Sequence, residues 1–174
     1  MKRLVFFISL LAFMSFSFYN KKKTTVWLIG DSTISIKNKN AYPETGWGMP
    51  FVNFWDSTVV VENRAMNGRS TRTFRDEGRW TPVADNLSAG DYVFIQFGHN
   101  DEVPTKKSYV AEADFKKNLE NYVLETKAKK AIPVLLTPVA RRKFDSTGHI
   151  METHEVYAQI VRDLAKQQQV FLID

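Results

Sequence analysis

Five short apolar runs recur along the chain, each bounded by turn-forming or polar residues. Residues 26–29 stop at Gly30, residues 58–61 are β-branched throughout, and residues 92–97 stop at Gly98. Residues 132–136 close on Thr137-Pro138, and residues 170–173 run to Asp174. Runs of this length and content read as buried strands. The segments between them carry a different period. In residues 111–130, Phe115, Leu119, Tyr122, Val123 and Thr126 recur at helical spacing and give one apolar face. In residues 153–168, Val156, Ile160, Val161 and Leu164 fall on one side. Residues 70–87 are polar and contain Pro82, which predicts two short helical pieces. Residues 47–55 are apolar and aromatic but broken by Gly48 and Pro50, which predicts a short helix starting near Pro50. Strands that alternate with helices and are nearly continuous in apolar residues predict a parallel sheet covered on both faces. The reading is a single doubly wound α/β domain over residues 25–174, with five parallel strands and no helix beyond the last one.

Composition narrows the chemistry. The 174 residues suit one domain, and 44% hydrophobic with 25% charged residues is ordinary for a globular protein. There is no cysteine, which excludes disulfides, thiolate metal sites and a cysteine nucleophile. Three histidines are too few for a histidine-rich metal centre. The formal charge of +5 comes from scattered Lys and Arg. Binding to nucleic acid would call for a basic stripe on a recognisable module, and neither is visible. A mildly basic surface does suit an anionic polymer such as a pectin.

The first residues read separately. Met1-Lys2-Arg3 is a positive start, residues 4–14 are apolar except for Ser9, and Ser15-Phe16-Ser17 offers small residues at the two positions a signal peptidase reads. Residues 1–17 are therefore expected to be a signal peptide, with export to the periplasm or the exterior and no stable membrane span in the mature chain. The apolar run is short of the roughly 20 residues of a typical span. The competing reading is an uncleaved anchor.

Ligands of open α/β sheets bind beyond the carboxyl ends of the strands. Those ends carry Gly30-Asp31-Ser32-Thr33, then residues 63–70 with Asn67-Gly68-Arg69-Ser70, then Gly98-His99-Asn100-Asp101, then residues 138–142. The first three loops hold a hydroxyl, a glycine and an amide, which are parts that acyl transfer needs. A serine hydroxyl attacks an ester carbonyl once a base takes its proton. The resulting oxyanion needs fixed donors, which backbone N–H groups and an uncharged amide supply.

These three blocks, in this order and each after a strand, resemble the SGNH (GDSL-type) hydrolases. The fuller strings, together with residues 137–144, look most like the rhamnogalacturonan acetylesterase branch, carbohydrate esterase family 12. The resemblance spans residues 25–174. It implies a flavodoxin-like three-layer α/β/α sandwich, no metal or organic cofactor, and an acetylated polysaccharide as substrate. It also implies Ser32 as nucleophile, and an oxyanion hole made of its own N–H, the N–H of Gly68 and the side chain of Asn100. Gly30, Asp31, Gly98, His99 and Asp101 are then supporting residues of the same blocks.

One part of the pattern is missing. The family carries a late Asp-x-x-His whose histidine is the base, and no such string occurs between Gly98 and Asp174. The expectation is a C-terminal part absent from this sequence. The alternative is a catalytically impaired carbohydrate-binding protein on the same fold. His99 lies on the rim but reads as a packing or substrate contact, and His149 and His154 read as surface residues. Each remaining candidate has a plain structural reading beside the functional one. Ser32 could cap a helix, and Gly68 and Asn100 could be turn residues. Trp47 and Trp55 could stack on sugars or pack in the core. Arg141 and Arg142 could bind an anionic sugar or be a solvated pair.

Overall fold

The computed structural model describes residues 22–174, so the candidate signal peptide lies outside the described residues. Five strands form one parallel sheet: β1 (Thr24–Gly30), β2 (Val59–Asn63), β3 (Tyr92–Gln96), β4 (Ile132–Leu136) and β5 (Phe171–Ile173), in the order β2-β1-β3-β4-β5. Four helices accompany them: α1 (Thr71–Asp76), α2 (Thr81–Asn86), α3 (Glu112–Ala128) and α4 (Glu155–Gln168). Pro82 sits in the first turn of α2, where its missing N–H costs nothing. This placement splits residues 70–87 into the two pieces their pattern predicts. The apolar stretch from Pro50 is a 3-10 turn, Pro50–Phe54, and not an α-helix.

The strand order fixes the layers. From β1 the chain steps one way to β2, then back across β1 to β3, β4 and β5. Right-handed crossovers in opposite directions place their connections on opposite faces. All four helices therefore share one face, and residues 31–58 lie on the other. The helix face buries Trp27, Ile29, Val93, Ile95 and Leu135 under side chains from each helix. Phe74, Phe97, Tyr122 and Trp80 form an aromatic ladder there, with ring centroids 5.6, 5.8 and 5.0 Å apart. Such pairs add about 0.5–1.5 kcal/mol each beyond the area they bury.

The α3 face is the one its spacing predicts: Phe115, Leu119, Tyr122, Val123 and Thr126 are all buried. The α4 face is rotated from the expectation. Tyr157, Ala158, Val161, Leu164 and Ala165 are buried, while Val156 is 49% exposed. Tyr157 wins the inward position because its ring packs on Phe115 and its hydroxyl reaches the Val110 carbonyl at 2.7 Å.

The second face differs from the expectation of helices on both sides. Among the described residues its cover is the segment carrying Ile34, Trp47 and Phe51, packed on Val26, Leu28 and Phe94. The β1-to-β2 connection folds into 3-10 turns, so this layer is thin. Toward β5 it leaves a groove of about 530 Å³ lined by Tyr92, Phe94, Val134, Phe171 and Ile173.

Candidate active site

Asp31 and Ser32 follow directly from β1, whose last residue, Gly30, pairs with Gln96. Asp31 is buried, and its Oδ1 accepts from the N–H and hydroxyl of Thr33, both at 2.9 Å. Its carbonyl accepts from the N–H groups of Ile34 and Ser35 (3.3 and 3.1 Å). These four bonds make residues 31–35 a tight turn with Ser32 half-buried at its tip.

The loop after β2 is drawn alongside by a bond from the Met66 N–H to the Gly30 carbonyl, 3.0 Å. Gly68 has φ +77, a conformation that a side chain strains, and open space faces the position of a Cβ. The carbonyl of the peptide that joins Asn67 to Gly68 accepts from Arg69 Nη1 at 2.8 Å. Within the described residues no hydrogen bond takes up the N–H of Ser32 or of Gly68.

The loop after β3 closes the group. Gly98 has φ +138, and a Cβ there would lie 2.5 Å from Pro138 Cγ, so the turn admits only glycine. Asn100 is buried; its Nδ2 donates to the Arg69 carbonyl at 3.1 Å and its Oδ1 accepts from Lys106 Nζ at 3.1 Å. The ammonium has no acceptor capacity, so it fixes which end of the amide is oxygen. One of the two Nδ2 hydrogens is left free to donate. Asp101 is fully buried and accepts from the N–H and hydroxyl of Thr71 (2.8 and 2.6 Å) and the N–H of Gly98 (3.2 Å). It thereby pins the start of α1, just after the Gly68 loop, to the third loop. Burial pushes its pKa up to about 7 despite these donors, with the Asp31 charge adding to the rise. The three sequence blocks thus meet at one place.

On the β4 side lies a group that sequence reading missed. His154 is only 2% exposed, a correction to its expected place at the surface. Its Nδ1 lies 2.6 Å from Glu102 Oε2, and its Nε2 is buried with no partner. A carboxylate oxygen accepts, so Nδ1 is the nitrogen that donates to it. Glu102 Oε1 also accepts from Arg141 Nη2 at 2.7 Å, and Arg141 Nη2 reaches the His99 carbonyl at 2.9 Å. Arg141, a candidate sugar contact by sequence, is therefore held inward by Glu102, while Arg142 stays exposed. The His99 ring lies 4.4 Å from that of His154 and donates from Nε2 to the Val139 carbonyl at 2.6 Å. Burial, partly offset by Asp31 and by that carbonyl, holds the His99 pKa below the ordinary imidazole range. His149 is exposed, as expected.

His154 faces a cavity of about 570 Å³ that also touches Trp47, Gln96, Thr137 and Val139. Trp47 is half-buried, and its Nε1 donates to Gln96 Oε1 at 2.7 Å. It packs edge-on against Phe51, as the core reading expects, and also lines the cavity. Trp55 is 40% exposed and packs against Phe51. Among the described residues no group of three or more His, Asp or Glu side chains could hold a metal ion, and no helix is long and apolar enough to cross a membrane.

The parallel sheet with three strand-end loops meeting around a serine, a glycine and an asparagine is the arrangement of an acyl hydrolase. The chain belongs to the GDSL-like lipase/acylhydrolase family, which it matches over residues 28–174. Among curated proteins it is 39% identical over 155 residues to the rhamnogalacturonan acetylesterase RhgT of Bacillus subtilis, covering 88% of this chain and 66% of that protein. It is 44% identical over 77 residues to a rhamnogalacturonan acetylesterase of Emericella nidulans, covering 44% of this chain and 28% of that one. Among solved structures, YxiM of B. subtilis superposes with a TM-score of 0.77 at 32% identity, over 87% of this chain and 43% of that one. The acetylxylan esterase Axe2 of Geobacillus stearothermophilus shares the fold, with a TM-score of 0.67 at 21% identity over 88% and 78% of the two chains. The chain thus spans about two thirds of the length of RhgT and less than half of YxiM.

Proposed function

We propose that this chain belongs to an exported serine esterase that removes O-acetyl groups from a pectic, rhamnogalacturonan-like polysaccharide. The observation that carries the reading is that hydrogen bonds tie the loops of Ser32, Gly68 and Asn100 together while, among the described residues, the N–H of Ser32, the N–H of Gly68 and one hydrogen of Asn100 Nδ2 stay unoccupied. The likeness to RhgT supports the substrate, and the composition of residues 1–17 supports export.

In this mechanism Ser32 Oγ attacks the acetyl carbon while a base takes its proton. The carbonyl oxygen gains negative charge between the three donors, which need not reorganise as the charge develops. The sugar oxygen leaves with the proton, and the acetyl group remains as an ester on Ser32. A water then repeats the sequence and releases acetate. By the family pattern the base is the histidine of an Asp-x-x-His, a string this sequence lacks between Gly98 and Asp174.

The test is acetate release from acetylated rhamnogalacturonan by the native protein. Ser32→Ala should lower turnover by roughly 10⁶-fold, the loss typical of a triad nucleophile. Retention of activity in that variant would refute the reading. A second reading, a carbohydrate-binding protein without turnover, draws on one observation: no hydrogen bond joins Ser32 to any of the three histidines among the described residues. Polysaccharide binding by a folded native protein that releases no acetate would favour it.

A further inference from the structure

Lys37 is a buried lysine that neither the sequence motifs nor the proposed mechanism uses. Its side chain is 3% exposed. Burying an ammonium is costly unless each of its hydrogens is taken up. Here all three are: by the Ser32 carbonyl at 2.5 Å, Asn67 Oδ1 at 2.9 Å and Glu44 Oε1 at 2.9 Å.

Two of these acceptors belong to the candidate site. The first is the main-chain carbonyl of Ser32 itself. The second is the side chain of Asn67, whose peptide link to the next residue carries the Gly68 N–H. The Asn67 Oδ1 also accepts from the Ser35 hydroxyl, and the Asn67 carbonyl is held by Arg69. In a trans peptide the N–H points away from the carbonyl. Fixing Asn67 at its side chain and its carbonyl therefore fixes the direction of the Gly68 N–H.

We propose that Lys37 is a positioning residue that joins the Ser32 turn and the Gly68 loop into one unit, and so sets the distance between the nucleophile and an oxyanion donor. The proposal rests on the esterase reading. Among the described residues no other hydrogen bond of Asn67 reaches the Ser32 backbone. Met66 ties the same loop to Gly30, and the Ser35 hydroxyl ties Asn67 to the end of the turn, so Lys37 is the group that brings the Ser32 carbonyl itself into the tie. Misplacement of reacting groups by about 1 Å can cost on the order of 10²-fold in rate. No hydrogen bond or ion pair of the Lys37 ammonium reaches Trp47 or Arg141, the candidate sugar contacts, so its loss should act on turnover and not on affinity.

The experiment measures kcat and KM of the native protein on a soluble acetate ester, for the unaltered protein, Ser32→Ala, Lys37→Met and Asn67→Ala. A melting curve checks that each variant is folded. Lys37→Met should lower kcat about 10- to 100-fold and hold KM within about threefold. Asn67→Ala should lower kcat in the same direction by a smaller factor. Added ethylammonium should restore part of the activity of Lys37→Ala, and none in Ser32→Ala. A folded Lys37→Met with unchanged kcat, or with a raised KM alone, overturns the proposal and leaves the esterase reading standing. If Lys37→Met does not fold, Asn67→Ala decides, and an unchanged kcat there overturns it. An unaltered protein without esterase activity, or an active Ser32→Ala, removes the esterase reading and this proposal with it.

Discussion

On the β2 side of the rim the proposed donors are two backbone N–H groups and the Asn100 amide, and the side chains around them hold backbone. Lys37 holds the Ser32 carbonyl, Arg69 the Asn67 carbonyl, Asp101 the N–H groups of Thr71 and Gly98, and Asn100 the Arg69 carbonyl. On the β4 side the ties run from side chain to side chain: Glu102 with Arg141 and with His154, beside His99. One loop feeds both sides, since Asn100 and Asp101 turn one way and His99 and Glu102 the other. The difference follows from what each side presents. A peptide donor cannot be swapped for another residue type, so its direction must be fixed by what grips the chain. An imidazole can be held by one partner on one nitrogen and keeps the other nitrogen for chemistry.

The contrast is broken most severely at Asn100. Asn100→Ala removes one of the three proposed donors and leaves the other two in place. Turnover should fall about 10²–10³-fold, as for the loss of a single oxyanion donor elsewhere. KM should change little, and kinetics on a soluble acetate ester read both. A fall of less than about threefold would mean that the amide serves only the loop.

Asp101 gives a pH test of how the β2 side is held. Its folded pKa is raised, to about 7, from the ordinary carboxylate value of 3.8, chiefly by burial. As pH rises through 3.8 an unfolded chain releases this proton, while the folded chain keeps it until near 7. The unfolded state then binds fewer protons, so this group makes stability fall between about pH 4 and pH 7 and level off above. The limiting slope is about tenfold in the folding equilibrium per pH unit. Asp101→Asn should remove that slope, at the cost of a clash between its Nδ2 and the Gly98 N–H. Denaturant melts of both proteins across this range check it, and parallel pH profiles would show that Asp101 is already ionised.

Much of the β2 side was readable in the chain because its logic is local. Apolar runs ending at Gly30 and Gly98 mark strand ends, and strand ends of a parallel sheet share a rim. The grips on it were not readable. Lys37 looks like one more scattered lysine, and it meets Asn67 across 30 residues. His154 and Glu102 meet across 52 residues, which brings the start of α4 to the loop after β3. A histidine at a helix start carries no mark that says which loop will face it. The α4 face was misread for a related reason: a helical stripe can be drawn through Val156 or through Tyr157, and only the presence of Phe115 and the Val110 carbonyl favours the second. Trp47 was ambiguous because its ring suits a core, whereas its N–H needs an acceptor, and Gln96 at the end of β3 supplies one.

The smallest effect is expected from Glu102, and it separates the two sides most directly. Replacing it by Ala removes the acceptor of His154 Nδ1 and of Arg141 together. His154 is deeply buried, so its Nδ1–H would lose its only partner. Arg141 is about a third exposed, at 34% for the side chain, so water can replace part of what it loses. Breaking a fully buried pair costs about 3–5 kcal/mol. With one partner this open, roughly 2 kcal/mol is expected for Glu102→Ala. Glu102→Gln should cost less, because its amide oxygen still accepts from one of the two. Neither change touches a group that grips the Ser32 turn or the Gly68 loop. If the two sides are independent, the losses from Glu102→Ala and Asn67→Ala should add in the double variant to within about 0.5 kcal/mol. Strong non-additivity in denaturant melts would show that the shared loop, residues 98–102, transmits strain from one side of the rim to the other.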